Sequence, residues 1–283
     1  MQKTKIEYLT HTWNPLAMRC TPVSEGCANC WHLRTLPRLI ANPMIPEDRK
    51  AAYQNGAPVL IEKELDAPLV ARYPAVIGVQ FMGDLFHGAV PDDFIDQVFE
   101  VMILRPWHTF LVLTKRPERM REYIVDAKKR EPEWVVEGAL VGKPLGPLWQ
   151  DGYDLVFKFP SHIWLGTTAE NQAMADERIT EVLKLKAMFP GIIVYVSIEP
   201  CLEGVHISGY LDPAKDEDDG PPLDWVIVGG ESGPGARDMD PAWPRSIRDQ
   251  CRDAGVPFFF KQWKAKAGRE LDGRTWDEMP GGE

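Results

Sequence analysis

Six short apolar runs recur along the chain, separated by amphipathic stretches. They are Val76–Met82, Thr109–Leu113, His162–Gly166, Ile192–Ser197, Trp225–Val228 and Val256–Phe260. Runs of this length, rich in β-branched and aromatic residues, predict strands buried on both faces. The stretches between them keep a helical period. In Asp92–Leu104 the residues Phe94, Ile95, Val98, Phe99, Met102 and Ile103 fall on one stripe, with Pro91 and Asp92 as start signals. Glu118–Val125, Asn171–Met188 and Ala242–Ala254 follow the same rule. Such alternation predicts an α/β fold, a parallel sheet with right-handed crossovers.

Polar residues collect just past each run. Gly83, Asp84 and His87 follow the first, and Lys115 and Arg116 the second. Thr167, Glu170 and Asn171 follow the third, Glu199 the fourth, Glu231 and Arg237 the fifth, and Lys261, Gln262 and Trp263 the sixth. The C-terminal ends of strands are where β/α barrels place their active sites, so the pattern predicts a TIM-like barrel with a functional mouth.

The 283 residues suffice for one large barrel domain, expected over 1–263. Two segments break the alternation: an insertion around 128–160 and an acidic loop at 212–222. Residues 264–283 read as a polar, loosely held tail. The formal net charge of −10 argues against non-specific binding to nucleic acid. A local basic stretch from Lys115 to Arg130 is interleaved with Glu118, Glu122 and Asp126, as on a solvated helix face; it is compatible with a nucleic-acid substrate but does not indicate one. No apolar stretch approaches the ~18 residues of a membrane span, and the N-terminus lacks a signal-peptide core. With few cysteines and most of them clustered, a reducing cytoplasm is the expected setting.

The clustering brings in the chemistry. Cys20, Cys27 and Cys30 form a C-x6-C-x2-C run that holds three of the five cysteines in the chain. Grouped thiolates bind a soft metal or an iron–sulfur cluster more readily than they fill a core. Three protein ligands would leave a coordination position open for reaction. A closed zinc site is the alternative, with His11, His32, Cys201 or Cys251 as the fourth ligand, on a barrel that binds nucleic acid or a protein partner. A third reading is a hydrolase that pairs Glu199 with Glu231; it leaves the cysteines unexplained.

Several segments together carry a resemblance. They are Thr12-Trp-Asn-Pro15, Cys27-Ala-Asn-Cys30, Gly83-Asp-Leu-Phe-His87, Leu113-Thr-Lys-Arg-Pro117, Trp164-Leu-Gly166, Glu170-Asn-Gln172, Ser197-Ile-Glu-Pro200, Trp225 through Arg237, and Pro257 through Trp263. Over nearly its full length the chain resembles the phage-associated Gp37/Gp68-like family of radical S-adenosylmethionine (SAM) proteins with a displaced three-cysteine motif. The resemblance implies a partial (β/α) TIM-like barrel of the radical SAM type, holding a 4Fe–4S cluster on Cys20, Cys27 and Cys30 and generating a 5′-deoxyadenosyl radical from SAM. A reductant protein is the implied partner, and the substrate is not specified. Gly83 and Asp84 would meet the methionine amino group. Thr167, Glu170 and Asn171 would meet ribose hydroxyls or the methionine carboxylate, and Glu199, Glu231 and Arg237 the cofactor or substrate. Lys115, Arg116, Lys261, Gln262 and Trp263 would form the substrate rim, with His87 a candidate for proton transfer. The first cysteine gap is six rather than the usual three, and Asn29, not an aromatic residue, precedes Cys30. Asp84 and Asn171 also fit as plain helix caps.

Overall fold

The computed structural model describes residues 1–130, 159–212, 221–264 and 268–281. The insertion expected around 128–160 and the acidic loop expected at 212–222 fall mostly outside these residues. Among the described residues there are ten strands: β1 (Gln2–Lys3), β2 (His11–Trp13), β3 (Leu16–Ala17), β4 (Val59–Leu60), β5 (Val76–Val79), β6 (Thr109–Thr114), β7 (Ile163–Thr168), β8 (Ile193–Ile198), β9 (Trp225–Gly229) and β10 (Phe258–Gln262). The helices used below are α1 (Trp31–Ala41), α2 (Glu47–Asn55), α3 (Glu62–Leu65), α4 (Asp92–Ile103), α5 (Pro117–Arg130), α6 (Gln172–Met188), α7 (Ser208–Leu211) and α8 (Ala242–Ala254).

All six predicted strands form, and they lie side by side in chain order. One eight-stranded sheet runs β1-β2-β5-β6-β7-β8-β9-β10, while β3 and β4 pair separately. Every neighbour pair from β2 to β10 is parallel; only β1 runs antiparallel, against β2. The result is a mixed α/β chain whose sheet curls into a half-barrel.

Side-chain alternation makes the two faces. Phe110, Val112, Ile163, Leu165, Val194, Val196, Val226, Val228, Phe258 and Phe260 point outward and pack with the helices in the main core. The residues between them, Leu111, Trp164, Tyr195, Trp225, Ile227 and Phe259, join Tyr8 and Leu9 in a second core on the inner face. The curl follows from Tyr8, which precedes β2 yet contacts the rings of Trp225 on β9 at 5.6 Å and Phe259 on β10 at 5.4 Å. In a flat sheet, five strand spacings would hold β2 and β9 about 24 Å apart. Inside the curl, Tyr195 crosses β7 to donate its hydroxyl to Val112 O on β6 at 3.1 Å. A Cβ on Gly166 would sit 2.4 Å from that ring, so this position needs glycine.

Residues 268–281 are not a loose tail. Leu271 and Trp276 are buried, the Phe260 N–H donates to Trp276 O, and Trp225 Nε1 donates to Glu278 O. A β-bridge joins Phe259 to Asp277. The polar composition of this segment conceals two large apolar anchors that cover the open edge at β10. Among the described residues no helix is long and apolar enough to cross a membrane.

Candidate functional site

The pleat decides which strand-end residues face inward. Counting in twos from Leu111, Trp164, Tyr195 and Phe259 gives Leu113 on β6 and Lys115 just past it, Thr168 on β7, Ser197 on β8 and Glu199 just past it, and Lys261 on β10. All six line a single cavity of about 240 Å³ at the C-terminal ends of the strands. The opposite wall is the segment that carries Cys20, Cys27 and Cys30, and all three of those residues line the same cavity.

Four carboxylates frame it. Asp84 accepts from Phe86 N (2.9 Å) and Thr114 Oγ1 (2.7 Å) on one oxygen, and from Lys115 N (3.1 Å) and Arg116 Nη1 (2.7 Å) on the other. It therefore does not cap α4, whose N-cap is Pro91. Glu170 is fully buried and receives Gly26 N (3.1 Å), Lys115 Nζ (2.8 Å) and Arg178 Nη1 (3.2 Å). Burial pushes its carboxyl up, but Lys115 and Arg178 outweigh that and hold it below the usual carboxylate range. Glu231 accepts from Asn29 Nδ2 (2.8 Å) and from Arg237 N (2.9 Å), Nε (3.1 Å) and Nη2 (2.7 Å). Burial again opposes ionisation, yet these bonds bring the Glu231 carboxyl down to about 2. Glu199 accepts from Ser197 Oγ at 2.8 Å and pairs with Lys261 Nζ at 2.9 Å.

Two of these carboxylates fasten the cysteine segment. Glu170 holds Gly26, and Glu231 holds Asn29, whose side chain also meets Arg34. Arg34 Nη1 donates to Pro234 O at 2.7 Å, and Arg237 Nη2 donates to Glu25 O at 3.2 Å. The Gly-rich loop after β9 thus clasps the cysteine segment from the far end of the sheet. Cys27 is buried, while Cys20 and Cys30 are half-buried. Burial, reinforced by Asp84 and opposed by Arg116, pushes the Cys20 thiol up to about 11. Arg116 Nη1 lies 3.8 Å from its sulfur. Among the described residues no three His, Cys, Asp or Glu side chains are already gathered as a metal site.

Residues 3–280 match the family described as a protein of unknown function, DUF5131. The chain belongs to this family. No curated protein and no solved structure matches it.

The residues named from sequence sort clearly in this DUF5131 chain. Gly83, Asp84, Lys115, Arg116, Glu199, Glu231, Lys261 and Gln262 line the cavity with the three cysteines. Glu170 and Arg237 stand behind its wall, engaged with the cysteine segment. Thr167 is turned away and donates to Thr114 O at 3.0 Å. Asn171 caps α6, accepting from Met174 N at 2.9 Å. Trp263 Nε1 donates to Glu270 O at 2.8 Å, outside the cavity lining. His87 Nδ1 accepts from Ala89 N, so Nε2 carries the proton and donates to Thr21 Oγ1 at 2.9 Å. Sequence reading missed Tyr8, Asn29, Thr168 and Ser197 as lining residues. Strand parity would have found Thr168 and Ser197. His32 is 2% exposed and neither ring nitrogen has a partner among the described residues. Of the alternative fourth ligands, His32 alone borders the cavity; His11 meets Thr10, and Cys201 donates to Glu203 O.

Proposed function

We propose that the chain is a radical SAM enzyme on a partial barrel of that type, with a 4Fe–4S cluster on Cys20, Cys27 and Cys30. The observation that carries the reading is that one short segment brings all three thiols to the cavity floored by the polar strand ends. The donor set suits the group: soft sulfur ligands, with the Arg116 guanidinium beside Cys20 to offset the charge of a thiolate. When bound, a cluster with one open iron supplies the electron that splits SAM into methionine and a 5′-deoxyadenosyl radical.

The protein's own groups have separate tasks in this proposal. Glu170 and Glu231 hold the cysteine segment in place through Gly26 and Asn29. Asp84 fixes Arg116 and the start of α5, which keeps that cation next to Cys20. Thr168, Lys115 and Lys261 remain to bind ligands at the strand ends. A cytoplasmic setting would keep the thiols reduced, and a reductant protein would deliver the electron.

Anaerobic reconstitution with iron and sulfide tests the reading. The expected product is brown protein with about four iron and four sulfide per chain. Reduction in the presence of SAM should then release 5′-deoxyadenosine and methionine. Cys20→Ala, Cys27→Ala and Cys30→Ala should each lower iron content sharply. Colourless protein without bound sulfide would refute it.

His32 favours a second reading, a Cys3His zinc site that stabilises a binding protein. That reading requires about one zinc per chain, lost in His32→Ala as well as in the cysteine variants.

A further inference from the structure

The strand ends leave more hydrogen-bond donors unused than acceptors. An ionised carboxylate offers about four lone-pair positions. Asp84 and Glu231 each accept from four donors, and Glu170 from three. Glu199 has each of its oxygens engaged, one by Ser197 and one by Lys261. The donors are in the opposite condition. An ammonium has three N–H bonds, yet among the described residues Lys115 Nζ hydrogen-bonds only with Glu170 and Lys261 Nζ only with Glu199, the latter also lying 5.8 Å from the centre of the Tyr8 ring.

Thr168 adds an independent sign. The residue is 8% exposed, lines the cavity, and its hydroxyl is enclosed with no partner among the described residues. Enclosed polar groups in folded proteins are nearly always satisfied, so an orphan beside a cavity points to a ligand atom that completes it. Charge agrees with this count. The carboxylates Asp84, Glu170, Glu199 and Glu231 are paired with five cations, because Glu170 has both Lys115 and Arg178.

We infer that the cavity floor formed by Thr168, Lys115 and Lys261 is an oxyanion subsite that takes the carboxylate or phosphate group of a small substrate. Such a group brings acceptors to unused donors and negative charge to a surplus cation. Fewer acceptor positions stay open, one on Glu170 and two on Glu199. The subsite rests on the strand ends alone and does not depend on a metal on the cysteines.

The test is a titration of the purified full chain with sodium acetate and, separately, inorganic phosphate, at constant ionic strength with chloride as the balancing salt. Tryptophan fluorescence and thermal melts read binding. Saturable binding of acetate assigns the subsite to a carboxylate, and tighter binding of phosphate assigns it to a phosphate ester. Either result supports the inference provided Lys261→Met weakens it about tenfold, the loss of one charge-assisted hydrogen bond. Because Lys261→Met also strips Glu199 of its cation, Thr168→Val is the deciding variant. It removes only an unpaired hydroxyl, so its melting temperature should not fall, while anion binding weakens about fivefold. Absence of saturable binding, or binding that both variants leave unchanged, overturns the inference. The titration is repeated after reconstitution with iron and sulfide. Anion binding without a cluster would sink the radical reading alone, and a cluster without anion binding would sink the subsite alone.

Discussion

Asp84 and Glu231 each do with one carboxylate what a loop would otherwise need several residues to do. Asp84 gathers Phe86, Thr114, Lys115 and Arg116 on two oxygens. Asp84→Ala would leave the Arg116 guanidinium, whose side chain is only 15% exposed, with Thr21 but without its carboxylate, at a cost of about 3 kcal/mol. Chemical denaturation should show that loss, and an unchanged midpoint would contradict the network. Glu231 makes a prediction in pH. Its carboxyl titrates near 2 in the folded chain, against ~4.3 for an unfolded glutamate. A depressed value stabilises the fold above the unfolded pKa, and the benefit is lost as pH falls through the folded one. The stability gap between the wild type and Glu231→Gln should therefore shrink as the pH falls from ~4.3 to about 2. A gap constant across that window would show that Glu231 is not ionised against Arg237 in the folded state.

At the scale of elements, the six long strands were legible because burial on both faces leaves an uninterrupted apolar run. Their ends were less so. Strands β6, β7 and β10 continue one or two residues past the predicted ends, into polar positions. This extension decides the site, since Thr168 belongs to the strand and Thr167 points the other way. Residue type does not tell Thr167 from Thr168, and only the period-2 pleat selects Thr168. Strand β2 was invisible because three residues show no period, although it is the sheet's second strand and lies in parallel register with β5. Helix α1 was hidden by Pro37 and by the cysteine motif that runs into its start. Glycine carries a further consequence at this scale. Gly166→Ala should destabilise by about 3 kcal/mol, as overpacking against a ring that cannot move aside. Tyr195 is held there by Val112 O and by Trp225, so a urea midpoint equal to wild type would mean that the ring is free.

For the whole molecule, the half-barrel leaves an open side, and both ends of the chain work to cover it. Tyr8 closes over Trp225 and Phe259 from one direction, and residues 268–281 come in along β10 from the other. Removing everything after Lys264 would strip away buried Leu271 and Trp276, a loss of about 4 kcal/mol. The melting temperature should fall by roughly 10 °C; a melt within a degree of wild type would show that the strap is dispensable. The clasp between the cysteine segment and the loop after β9 has an implication for biosynthesis. Asn29 and Glu231 are 202 positions apart in the chain, so the thiols leave the ribosome long before the carboxylate that secures them exists. Whatever those sulfurs hold, the pocket receives its final shape only after translation has passed the fifth predicted strand.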